Sequence, residues 1–187
     1  TPYTGPWTKT QIVHLLKRTM FGAAKADVDY FLTKTMDQAV DELLTPSTTP
    51  PVGPLNNYND TNYTDPNVAL GAEWANAPYD NTANAKRRKS FKSWWTGLML
   101  NQGRSIEEKM TLFWHNHFAT QTTTIGDARG AYKNNFLLRS NALGNFKTLT
   151  KLVTTDPGML RYLNGYLNTK NAPDENYARE LMELFTV

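Results

Sequence analysis

SIEEKMTLFWHNHFA, residues 105–119, carries apolar side chains at a spacing that only a helix gathers on one side. A step of about 100° per residue puts Ile106, Met110, Phe113, Trp114 and His117 on one arc, whereas the two-residue alternation of a strand divides them between faces. Ser105 and Glu108 stand at the spacing of a capping box, so the helix is expected to open there.

The same period recurs on both sides. Thr8 with Gln11 fits a second capping box and Trp7 with Ile12 a hydrophobic staple, starting a helix that runs to about Met20 and stops at Gly22. Val28, Phe31 and Leu32 mark a short helix. Thr35 and Gln38 box the next, which carries Ala39, Val40, Leu43 and Leu44 and ends at Pro46. A longer helix is expected over 83–100, with Phe91, Trp94, Trp95, Leu98 and Met99 as its buried stripe. Tyr132, Phe136, Leu137 and Leu143 belong to a helix that Gly144 stops. Asn145 caps Phe146, Leu149, Leu152 and Val153, and Asp156 followed by Pro157 opens the helix of Met159, Leu160, Leu163 and Leu167. Asp174 caps ENYARELMELFTV, residues 175–187. No strand alternation and no internal repeat interrupts the series, so the expected fold is all-α, an irregular multi-helix bundle.

The 187 residues suit one domain, read here as residues 1–187 with one insertion at about 45–82. That insertion begins TPSTTPPVGPLNNYNDTNYTDPN and has no period of either 3.6 or 2. A loop of this length is expected to be functional, mobile, or packed against the part of the protein that lies beyond this chain. Asp60, Asn62 and Asp65 are oxygen ligands for calcium in principle, but Pro66 sits where such a loop needs glycine, and turn formation accounts for them.

A net charge of +3 is too small for a dedicated nucleic-acid binder. Most of the excess is concentrated in Lys86, Arg87, Arg88, Lys89 and Lys92, and the KRRK run at 86–89 reads either as a phosphate or anionic-polymer contact or, more simply, as a solvated face. The absence of cysteine rules out disulfides, thiolate metal sites and a cysteine nucleophile. No apolar run is long enough to span a membrane. There is no nucleophile elbow and no glycine-rich phosphate loop.

EKMTLFWHNHFAT (108–120), NALGNFKTLTKLVTTDPGMLRYL (141–163) and PDENYARELMELFTV (173–187) together resemble, in order, spacing and wording, a bacterial family known as domain of unknown function 1800. HLLKRTMFG (14–22) resembles its opening segment. Asp174 stands where the family usually has asparagine, and RTMFG where it has an RAGFG-like run. The resemblance implies an exported protein (periplasmic, cell-surface or extracellular) that continues past ELMELFT. On that reading the chain is a truncated fragment, its bundle is incomplete, and the C-terminal remainder of the same protein is its first partner.

Chemistry is expected at the two histidines and the last helix. His117 points to the core and His115 to nearly the opposite side, so the pair shares a metal only if the helix ends or distorts near Asn116. Two histidines with Glu180 or Glu183 would make a divalent-metal site of zinc type with an open position for water. Glu180, Glu183 and Arg179 become candidate catalytic groups if a second layer covers them; Glu175 to Arg179 and Arg179 to Glu183 otherwise form an ordinary exposed ladder. The simpler account makes both histidines structural, hydrogen-bonded at a helix junction. A third has Trp94, Trp95, Trp114 and the acids lining a carbohydrate groove. His14 is read as completing a helix contact.

Whether the chain is an enzyme is open at this level. One reading is an exported hydrolase of an extracellular or cell-surface polymer. The other is a non-catalytic helical module that binds an exported partner protein or a polysaccharide through the 45–82 loop and the KRRK helix start. In the second, the loop is dispensable to the core.

Overall fold

Side-chain caps set the start of several helices of this chain. In the computed structural model, which describes residues 3–186, Thr35 Oγ1 accepts from Gln38 N–H at 3.2 Å while Gln38 Oε1 accepts from Thr35 N–H at 3.0 Å. Asn145 Oδ1 accepts from Thr148 N–H at 3.1 Å, and Asp156 Oδ2 from Met159 N–H at 2.8 Å with Pro157 in the first turn. These start α3 (Met36–Leu44), α8 (Phe146–Thr154) and α9 (Pro157–Tyr162). The N-terminal helix α1 is Lys9–Thr19 and α2 is Lys25–Phe31. Asp80, which accepts from Ala83 N–H at 2.7 Å, moves the start of α4 (Asn81–Leu100) ahead of the expected Ala83.

The remaining helices are α5 (Glu107–His117), α6 (Thr122–Ile125), α7 (Ala128–Ser140) and α10 (Asn176–Glu180). The single turn of α6 was not legible in the sequence; Gly126, at φ +75°, closes it in the left-handed conformation that glycine alone adopts without strain. Among the described residues there is no strand, only isolated bridge pairs. The fold is all-α.

Helix α7 is the spine, packing against α4, α5, α6, α8 and α9. The buried apolar residues form three clusters. Ile12, Leu16, Val28, Phe31, Ala39 and Leu43 join α1, α2 and α3. Val68, Trp74, Phe91, Ile125, Ala128 and Ala131 form the middle cluster. Phe118, Leu138, Leu149, Val153, Met159 and Phe185 form the third.

Three expectations need correction. The box of Ser105 and Glu108 does not form: Ser105 Oγ accepts from Glu107 N–H at 3.2 Å, while Glu108 turns inward to an ion pair with Arg139 of α7. On α5 the most buried side chains are Glu108 and Thr111, and Phe113 is 52% exposed, because α4 and α7 cover the face the apolar pattern did not mark. The last helix is not uniform, since Leu181–Phe185 is π-helical, and no ion pair joins Glu175, Arg179 and Glu183 among the described residues. His14 is exposed on α1.

The largest correction concerns KRRK and the 45–82 segment. Arg87 is 1% exposed and lies against Asp65, itself 4% exposed. Its Nε donates to Asp65 Oδ2 at 2.9 Å and its Nη2 to Oδ1 at 2.9 Å and Oδ2 at 2.8 Å, while Nη1 donates to Pro78 O at 2.8 Å. Tyr58 O–H completes Asp65 at 2.7 Å. The segment is therefore packed on α4 of its own chain: Asn56 and Trp74 are fully buried, and Trp74 Nε1 donates to Ser90 Oγ at 3.0 Å. Deleting it removes part of the middle cluster, so it is not dispensable to the core.

Burial alone would raise the Asp65 pKa, but the Tyr58 hydroxyl, the Asn67 N–H and the Arg87 guanidinium together hold it below the ordinary carboxylate value. A depressed carboxylate stabilises the fold above its unfolded pKa, near 4, and the contribution is lost as pH falls through the folded value. Arg87→Met, which leaves Asp65 buried and without its counter-charge, is expected to cost about 3–5 kcal/mol in urea unfolding at pH 7. Asp65→Asn should in addition flatten the stability loss below pH 4; a wild-type acid limb retained in that variant would refute this account of the pair.

Candidate functional site

The sequence-derived site residues occupy separate places. His115, on the α4-facing side of α5, meets the Trp95 ring edge-on at 4.9 Å between centroids. Its Nδ1 is buried with no partner among the described residues, and burial pushes the imidazole pKa below its ordinary value, so the ring is neutral at pH 7. His117 points the other way, its Nε2 2.9 Å from the Phe185 carbonyl oxygen, which accepts. The rings of Phe113, Trp114, Phe118 and Phe146 surround it. Helix α5 stays regular through His117, so the distortion near Asn116 that a shared ligand requires does not occur.

Glu180 is half-buried, while Glu183 and Arg179 are exposed. Among the described residues, no three His, Cys, Asp or Glu side chains come together in a way that would hold a metal ion. Met182 and Leu184 of the same segment are also exposed. Trp94 and Trp95 are half-buried on α4, whereas Trp114 packs in the third cluster and donates Nε1–H to Ala142 O at 2.9 Å. The three tryptophans thus serve two different surfaces.

A different set of residues does converge. A cavity of about 520 Å³ lies between residues 46–51, the turn joining α4 to α5, and the end of α7. Glu107, Glu108, Gln102 and Arg139 line it, with Phe136 and Leu98 supplying apolar wall. Glu107 holds the 46–51 strap in place, its Oε1 accepting from Ser47 N–H at 3.0 Å. Glu108 and Arg139 form an ion pair across α5 and α7, each residue only 9% exposed.

That pair is only partly satisfied. Arg139 Nη2 donates to Asn135 Oδ1 at 3.3 Å and the guanidinium lies 5.4 Å from the Trp94 ring centre. Glu108 Oε2, Arg139 Nε, Asn135 Nδ2 and Gln102 Oε1 are buried and have no partner among the described residues. Each such group costs about 1–3 kcal/mol if left unmatched, so a natural protein keeps them only where something else completes them. Burial brings the Arg139 pKa down to about 10, partly opposed by the Glu107 charge, so the guanidinium remains protonated at neutral pH.

Local sequence does not mark this set: Glu108 fits a cap, and Arg139 follows the apolar run Phe136, Leu137 and Leu138. The signal available was on α7 itself: Asn135 and Arg139 share a face at i,i+4 spacing, and asparagine is a poor residue for a helix interior unless its amide has work there.

The His115 environment predicts a pH effect. Because its folded pKa lies below its unfolded one, the unfolded chain binds more protons as pH drops below about 6.5, and stability falls there. Urea midpoints at pH 7.5 and 5.5 should therefore converge in His115→Leu relative to wild type. An identical acid-side drop in both proteins would remove His115 as its source.

No curated protein and no solved structure matches the chain. A family model does, described as "Protein of unknown function (DUF1800)", over residues 14–187. Those residues include the α4, α5 and α7 walls of the cavity and all three motif stretches, and the chain belongs to the DUF1800 family of proteins of unknown function.

Proposed function

We propose that the chain is a ligand-binding helical module, and that its site is the cavity bounded by residues 46–51, the α4–α5 turn and α7. The ligand is part of an extracellular or cell-surface polymer, a glycan being the best fit; the location outside the cytoplasm rests on the family resemblance. The observation that carries the reading is the Glu108–Arg139 pair, two buried opposite charges on one cavity wall that each keep an unused hydrogen-bonding atom. Pockets that combine apolar wall with a few convergent polar groups are where small ligands bind.

Hydrolysis has less support. Glu107 and Glu108 both reach the cavity, as a general acid and base would. Glu107 is occupied by the Ser47 backbone, however, and Glu108 is held in an ion pair with the Arg139 guanidinium, so both carboxylates are already engaged. The metal version, with His115, His117 and Glu180 or Glu183 and with Arg179 assisting, needs side chains that face different clusters to meet.

Ser140 is exposed at the rim of the cavity, so Ser140→Trp fills the opening without touching the ion pair. Binding of fluorescent cell-wall and capsular glycan fragments should weaken at least ~10-fold in that variant, with its unfolding midpoint unchanged. Undiminished binding would move the site elsewhere. Reducing ends appearing in the wild-type mixture would restore the hydrolase reading.

A further inference from the structure

Only two asparagines of this chain open an Asn-x-Thr triplet, Asn59 (NDT) and Asn62 (NYT), and both lie in the 45–82 segment. An asparagine two residues before serine or threonine, with any residue but proline between, is the acceptor pattern for an N-linked glycan and is used on surface loops. The structure separates the two. Asn59 is half-buried, and its Oδ1 accepts from the N–H of the buried Asp65 at 2.9 Å. Its amide is thereby tied to the Arg87 network. Asn62 is exposed, as are Asp60, Thr61 and Thr64, and among the described residues no hydrogen bond engages the Asn62 carboxamide or the Thr64 hydroxyl.

Turn formation does not account for those two side chains. The turn at 60–63 is closed by the Asp60 carboxylate, whose Oδ1 accepts from Asn62 N–H at 2.8 Å and Tyr63 N–H at 2.9 Å, and by Asp60 N–H donating to Tyr63 O at 2.9 Å. Asn62 contributes only its backbone, and it does not stand at positive φ, where asparagine is tolerated better than most residues. What the turn leaves free is what glycosyl transfer uses: a solvent-facing carboxamide nitrogen and, two residues on, a hydroxyl by which a transferase holds the acceptor. Asp60 adds a carboxylate two residues before Asn62, a further mark that some oligosaccharyltransferases require; before Asn59 that place is held by Asn57. The bonds of the turn are short-range and lie at the surface, the setting in which local opening to fit an enzyme costs least.

We infer that Asn62 is an acceptor for an N-linked glycan. In the transfer, Asn62 Nδ2 bonds to the anomeric carbon of a saccharide supplied as its polyprenyl diphosphate. The bond from that carbon to the diphosphate oxygen breaks, polyprenyl diphosphate leaves, and one amide proton is lost. The inference is independent of the ligand proposed for the cavity.

The test uses the protein isolated from its native cells, with variants made in the same cells, and reads the peptide carrying residues 59–64 by mass spectrometry with fragmentation that localises the added mass. A saccharide mass on Asn62 is expected. Asn62→Gln and Thr64→Val should abolish it with the urea midpoint unchanged, whereas Thr64→Ser, which keeps the hydroxyl, should retain it. An unmodified Asn62 in the wild-type protein overturns the inference. So does a saccharide located on Asn59 or on a threonine hydroxyl, or one on Asn62 that persists in Thr64→Val.

Discussion

The buried pairing of Arg87 with Asp65 is the constraint on which the middle of this protein depends. A guanidinium and a carboxylate taken out of water destabilise a fold unless every hydrogen-bonding site is used, and here the Arg87 nitrogens find Asp65, Tyr58 and the Pro78 carbonyl. Meeting that demand fixes a segment without secondary structure against α4. Trp74 is then brought over Ser90 and Phe91, and Asn56 is closed onto Val68 O at 2.8 Å. Residues 46–51 leave α3 where Leu43 O accepts from Ile106 N–H at 2.9 Å, and Glu107 receives them, making one wall of the cavity.

A second buried pair, Glu108 with Arg139, contrasts with the first. Every nitrogen of the Arg87 guanidinium has a partner, and Asp65 is matched by its partners; that network reads as a fixed part of the scaffold. In the second pair both members retain capacity, and the neighbouring Asn135 and Gln102 do too. Buried polar networks rigidify a core when complete and are costly when incomplete. The incomplete one sits beside the cavity, and that asymmetry is what supports the proposed reading of the cavity as a ligand site.

The histidines belong to the scaffold in different ways. His117 joins two of the stretches that carry the family resemblance, its ring held among Trp114, Phe118 and Phe146 while it donates to Phe185 at the end of ENYARELMELF. The π-helical turn at Leu181–Phe185 widens the helix there, and Phe185 enters the third cluster with Tyr177 and Leu181 packed beside it. His115, two residues earlier, faces Trp95 instead. An HxH spacing on a regular helix separates its rings by about 200°, and the tertiary packing used that separation to join two interfaces.

The sequence by itself determined the helical class, the caps at Thr35, Asn145 and Asp156, and the opposite directions of His115 and His117. Each depends on partners within about four residues, the range over which helical period and side-chain caps act. Tertiary structure alone decided that Arg87 is buried, that Glu108 abandons its cap for Arg139, and that the 45–82 segment is part of the core. Asp65 lies 22 residues before Arg87 on a stretch with no period to place it, and Glu108 meets Arg139 across two helices. Whether a charge is solvated or buried is set by a counter-charge distant in the chain. Local spacing carries no record of that distance, and it is there that the candidate site arose.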